Sequence, residues 1–125
     1  MRVLRCVAVC FALIAMTGEG YRSWGVGRPV PFWFDDVLMG GLLVAGAVAM
    51  RRDTLRRRAL FSAAWGVAVG FAYLSFFQKL LEPQQQNPGN VSLPLLTFLA
   101  GAGLVIAIVC LVASIAMPPP AGEER

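Results

Sequence analysis

The sequence predicts an all-α, polytopic transmembrane four-helix bundle with short loops, in a single domain over residues 1–125. Three observations predict it. The chain is 58% hydrophobic and 14% charged, where ordinary soluble domains are about 25% charged. Its charges fall in short clusters, with none between 59 and 78 and none between 83 and 122. Finally, a hydrocarbon core needs about 20 apolar residues per helical crossing, so four crossings use most of the chain. Little remains for a soluble catalytic domain.

Segment one covers about 3–20. Arg2 and Arg5 precede the apolar run 6–16, which is also how a secretory signal peptide begins. The cleavage pattern, Ala15-Met16-Thr17, is poor. The segment is therefore read as an uncleaved helix, with Arg2 and Arg5 snorkelling to one interface and Tyr21 and Trp24 at the other. Gly25, Gly27, Pro29 and Pro31 punctuate the loop that follows. Phe32, Trp33 and Phe34 are aromatics of the kind that collect at membrane–water interfaces.

Segment two covers about 32–50 and is rich in small residues. Asp35 and Asp36 are expected in its first turn, at the positive end of the helix dipole. The basic turn 51–58 carries Arg51, Arg52, Arg56, Arg57 and Arg58. Segment three, 59–81, begins directly after it and becomes polar at its far end, with Tyr73, Ser75, Gln78, Lys79 and Glu82. The loop 82–92 holds no lysine or arginine. Segment four covers about 93–117, with Ser92 as N-cap and Pro94 in the first turn. Pro118, Pro119 and Pro120 stop it, and 118–125 form a short tail.

The basic clusters orient the bundle. Lysine and arginine accumulate in short cytoplasmic loops. That rule puts the N-terminus, the 51–58 turn and the C-terminus inside, in a bacterial inner membrane. It also explains the net charge of +4 without nucleic acid.

Several function classes are excluded or weakened. The chain has no histidine, the commonest general base and metal ligand. No P-loop, dinucleotide fingerprint or nucleophile elbow is present. Cys6, Cys10 and Cys110 lie in apolar runs at no metal or disulfide spacing and are read as small buried hydrophobes. No cofactor and no metal are expected.

Four constellations remain. Ser62, Gly66 and Gly70 form a small-residue stripe at spacing four, read as internal helix packing or as a homodimer face. The five arginines of the 51–58 turn are a topology signal or a lipid-headgroup site. Asn90-Val91-Ser92 matches a glycosylation pattern, too close to the membrane surface to carry weight. Asp35, Asp36, Tyr73, Gln78 and Lys79 should share one depth in the outer leaflet, as a candidate polar site. Matching depth further suggests an Asp36–Lys79 ion pair, because pairing offsets desolvation.

In size and number of spans the chain is similar to the small multidrug-resistance transporters. Those carry an acidic residue midway along the first helix, whereas here Glu19 lies at its far end, and the chain is not assigned to them. The expected function is that of a non-enzymatic integral membrane protein, structural or accessory to a membrane partner. Its partners would be the lipid bilayer and a second copy or another membrane protein. The alternative is a small oligomeric transporter or channel using Asp35, Asp36 and the polar end of helix three.

Overall fold

A computed structural model describes residues 1–118 and 122, apart from the side chain of Phe32. The expected tail therefore lies outside the described residues except for Pro118 and Gly122. The elements are α1 (Arg2–Ser23), α2 (Pro31–Ala49), α3 (Leu55–Leu81), a 3-10 turn (Pro83–Gln85) and α4 (Leu93–Ala116), with no strand among the described residues. Consecutive helices pack side by side, and α1 barely touches α4. Short connections make the neighbours antiparallel. One end of the bundle gathers the 50–54 turn and the starts of α1 and α3; this is the arginine end. The other carries the 24–30 and 82–92 connections; this is the polar-loop end.

Helices α1, α3 and α4 are long and apolar enough to cross a membrane; α2 is not clearly a span. Its 19 residues measure about 28 Å at 1.5 Å per residue, and Asp35 and Asp36 interrupt the apolar run.

The core is built around Trp65, which is fully buried together with Phe61 and Leu43. The Trp65 ring meets Phe11 edge-on at 5.6 Å and Phe61 at 6.3 Å, the geometry that aromatic quadrupoles favour. Ala8 and Ala12 on α1, Ala68 on α3 and Ala107 on α4 are also fully buried. Their small side chains leave room for the large rings. The Trp65 indole N–H is buried without a hydrogen-bond partner.

The arginine end is tied by side chains that reach the last carbonyls of α2. Arg5 donates from Nε to the Ala47 oxygen at 2.8 Å. Arg57 donates from Nη1 to the Ala49 oxygen at 3.0 Å. These carbonyls have no partner within their own helix. Arg58 grips both oxygens of Asp53, at 2.5 and 2.6 Å, and also reaches the Pro118 carbonyl. Its hydrogen bonds hold the Asp53 carboxyl below the usual carboxylate range.

Several expectations are corrected. Helix α3 starts at Leu55, so Arg56, Arg57 and Arg58 lie in its first turn and not in a loop. Thr54 makes this start workable: its hydroxyl accepts from the Arg57 N–H, satisfying one orphan donor. Helix α2 starts at Pro31 with Val30 at the cap position. Asp35 and Asp36 consequently fall in the second turn and cap nothing. Ser92 occupies the N-cap position of α4 without a side-chain bond. Of the three cysteines only Cys110 is buried; Cys6 and Cys10 are exposed.

The internal-packing reading of the small-residue stripe is corrected for two of its three members. Ser62 does pack, its hydroxyl 2.9 Å from that of Ser114 on α4. Gly66 and Gly70 are exposed, and a Cβ at either would meet nothing within 4 Å. At 100° per residue, a spacing of four drifts roughly 40° per step, which carries the stripe out of the interface. The close approaches lie elsewhere. A Cβ at Gly46 would stand 3.0 Å from the Phe61 ring and 3.4 Å from its Cα, and one at Gly101 would stand 2.9 Å from the Phe76 ring.

Stability should follow this pattern. Gly46→Leu is expected to destabilise the bundle by about 1–3 kcal/mol, the usual cost of overpacking. Gly66→Leu should stay within about 0.5 kcal/mol of the parent. Thermal unfolding in detergent reads both, and equal costs would place Gly66 in a packed interface.

Candidate functional site

The polar-loop end is organised by Glu19, in the last turns of α1 and buried to 7% exposure. Its carboxylate accepts from Arg22 at 3.2 Å, from the Ser23 hydroxyl at 2.8 Å and from Arg28. Arg28 also donates to the Ser23 hydroxyl at 3.0 Å. Glu19 and Arg22 stand three residues apart, the spacing at which helical side chains meet. One carboxylate thus holds two guanidiniums at a helix end where buried charge needs a partner.

Arg22 passes this order across the bundle. Its Nη2 donates to the Asn87 carbonyl at 2.7 Å, and its own carbonyl accepts from the Asn90 N–H at 3.2 Å. The Asn90 amide donates to the carbonyls of Tyr21 and Trp24, both at 2.9 Å. Gly89 permits this contact. It has φ +62°, and a Cβ there would collide with the Arg22 carbonyl, so both conformation and space require glycine. The 82–92 loop is therefore clamped onto the end of α1.

Behind this clamp opens a cavity of about 570 Å³. Its charged lining is Arg22, Arg28 and Lys79 against Asp35, Asp36 and Glu82, with Gln78, Gln85 and Gln86 among the polar groups. Lys79 is itself buried, and its ammonium donates to the hydroxyl of Ser75 at 2.6 Å and to its carbonyl at 3.2 Å. The Arg22 Nε is buried without a partner. A second cavity, about 130 Å³, shares Asp36, Phe71 and Ser75 with the first and extends to Phe11, Leu99 and Gly103.

Of the residues selected from sequence, Asp35, Asp36, Gln78 and Lys79 line the larger cavity. Tyr73 does not: it is exposed and lies against Phe77, the rings tilted by 45° with centroids 4.6 Å apart. Asp36 and Lys79 share the cavity without forming an ion pair, because the Lys79 ammonium bends back to Ser75. At the other end, Arg57 and Arg58 are engaged by backbone carbonyls and Asp53, whereas Arg51, Arg52 and Arg56 are exposed. The sequence reading missed Glu19, Arg22 and Arg28. Opposite charges three residues apart at the end of an apolar run were the available signal, and they lie at the depth already assigned to Asp36 and Lys79.

The arrangement is suited to binding. Cations and anions face one another across a polar cleft, so a ligand with both charges, or a polar segment of a partner, finds complements on both walls. Among the described residues no group of three His, Cys, Asp or Glu side chains is placed to hold a metal ion. No protein-family model matches the chain, and no curated protein or solved structure matches it.

The network ranks the charges. Glu19→Gln leaves two arginines without their anion and should cost about 3–5 kcal/mol. Asp35→Asn should cost well under half of that. In double-mutant cycles read by thermal unfolding, Glu19 with Arg22 should couple more strongly than Asp36 with Lys79. The reverse order would put the organising pair on α2 and α3.

Proposed function

We propose that this is a non-enzymatic integral membrane protein, accessory to a membrane partner, which it engages through the charged cavity at the polar-loop end. One observation carries the reading: a cavity of mixed charge at one end stands over a packed apolar core. Trp65, Phe61 and Leu43, all without accessible surface, fill the bundle toward the arginine end. This combination favours holding a polar group over passing it through. The lining offers carboxylates, guanidiniums, an ammonium and amides, all binding groups. The positive-inside rule supports an inner-membrane orientation with both termini cytoplasmic and the cavity outside.

A second reading, a small oligomeric transporter or channel, draws on a separate observation. Asp36 belongs to both cavities, and the smaller one reaches inward to Phe11 and Gly103. Ionisable groups at such depth are candidates for ion or proton handling. The open Gly66–Gly70 face would then serve a second copy.

A photo-crosslinker at Gln78 separates the two. In native membranes the accessory reading expects one discrete hetero-adduct, absent when the crosslinker sits at Val109 on the outer face of α4, and lost in a Lys79→Ala, Asp35→Asn background. Self-adducts alone, together with cation flux in proteoliposomes that Asp36→Asn abolishes, would establish the transporter instead.

Orientation has its own test. Single cysteines at Thr54 and Asn87, in a background without the native cysteines, should react with an impermeant maleimide from opposite sides of the membrane. Equal labelling in intact cells would remove the four-span topology.

A further inference from the structure

We infer that the arginine end holds one anionic two-chain phospholipid astride α1. Two grooves flank the first half of that helix. One, about 500 Å³, runs between α1 and α2, with Arg2, Arg5 and Arg51 at its mouth and Val9, Ala47 and Val48 along its depth. The other, also about 500 Å³, runs between α1 and α4, where those helices barely meet. Its walls are apolar, Val7, Phe11, Ile14 and Ile106 among them, and Arg2 again stands at the mouth. Cys6 and Cys10 belong to both grooves and are exposed. Arg2, Cys6 and Cys10 follow one another at spacing four, so they form a ridge on α1. The two small thiols keep that ridge low between the grooves.

The charges select the headgroup. Three guanidiniums line one groove, and among the described residues no carboxylate lines either. Arg5 is steadied by a neutral acceptor, the Ala47 carbonyl, and not by a carboxylate. Guanidiniums bind phosphate oxygens through paired, charge-assisted hydrogen bonds, and basic recesses between helices at the membrane surface take anionic headgroups. The apolar walls select the rest of the molecule. A soluble phosphate would leave them wet, whereas one acyl chain in each groove covers both. From Arg2 to Ile14 the helix rises about 18 Å, comparable to one leaflet of a hydrocarbon core about 30 Å thick. The headgroup and chain ends therefore fall at the depths a lipid needs. The site is distinct from the outward-pointing Arg52 and Arg56, which line neither groove.

The test is native mass spectrometry of the full chain, purified in detergent and offered phosphatidylglycerol, phosphatidylcholine or glycerol 3-phosphate. One phosphatidylglycerol per chain should be retained in preference to phosphatidylcholine. Retention should fall on the order of tenfold in Arg2→Gln, Arg51→Gln and less than about twofold in Arg52→Gln, Arg56→Gln, which removes the same charge outside the grooves. Equal losses would reduce the effect to diffuse surface attraction, and equal retention of phosphatidylcholine would remove the headgroup site; either overturns the proposal. The native thiols give a readout that needs no variant. Bound phosphatidylglycerol should slow N-ethylmaleimide labelling of Cys6 and Cys10, and glycerol 3-phosphate should not. Unchanged labelling with the lipid, or equal protection by glycerol 3-phosphate, would show that no acyl chain lies in the grooves.

Discussion

The carboxylate of Glu19 is the contact on which the polar-loop end depends. Without it, Arg22 would be a cation in a poorly solvated place with only a backbone carbonyl as acceptor. With it, Arg22 is fixed firmly enough to hold the Asn87 carbonyl, and the 82–92 loop settles onto α1. That loop closes one side of the charged cavity, so Glu19 shapes the cavity without standing among its lining residues. Such networks stabilise when every member is satisfied and are costly when one is lost. The Arg22 Nε, still without a partner, marks where satisfaction is incomplete.

The two ends solve the same electrostatic problem by different means. At the polar-loop end, charges of both signs neutralise one another around a cleft. Among the described residues there is little acid at the arginine end, and cations there meet the carbonyls that finish α2. Arg5 comes from α1 and Arg57 from α3, so the shortest of the four helices is held at its C-terminal end from both sides. The arginines that a topology rule counts only as positive charge also act as caps. Their arrangement further leaves Arg2 and Arg51 beside Arg5 with no acid lining that groove among the described residues, the origin of the anion-seeking surface there.

The number of helices and their approximate positions were legible because charge clusters separate the apolar runs. The start of α3 was misplaced because five arginines read as a turn, although arginine is a good helix former and Thr54 caps the true start. Depth along the helices was legible, which is how Asp35, Asp36, Gln78 and Lys79 were grouped. Rotation about the helix axes was not. A helix that is apolar all round carries no periodic sign of its buried face. That gap accounts for Tyr73 pointing away from the cavity, for Gly66 and Gly70 lying open, and for the missing Asp36–Lys79 contact. The Gly46–Phe61 and Gly101–Phe76 approaches were hidden for the same reason.

The clamp between Arg22 and Asn87 also has a history in time. Its two members are 65 residues apart, so during synthesis at roughly 5–20 residues per second Arg22 waits several seconds for its acceptor. Glu19 is made three residues before it and is available from the start. The pair therefore forms within one helix, without waiting for the loop. Placing the anion on the same helix, one turn away, gives Arg22 a partner that does not depend on the later loop.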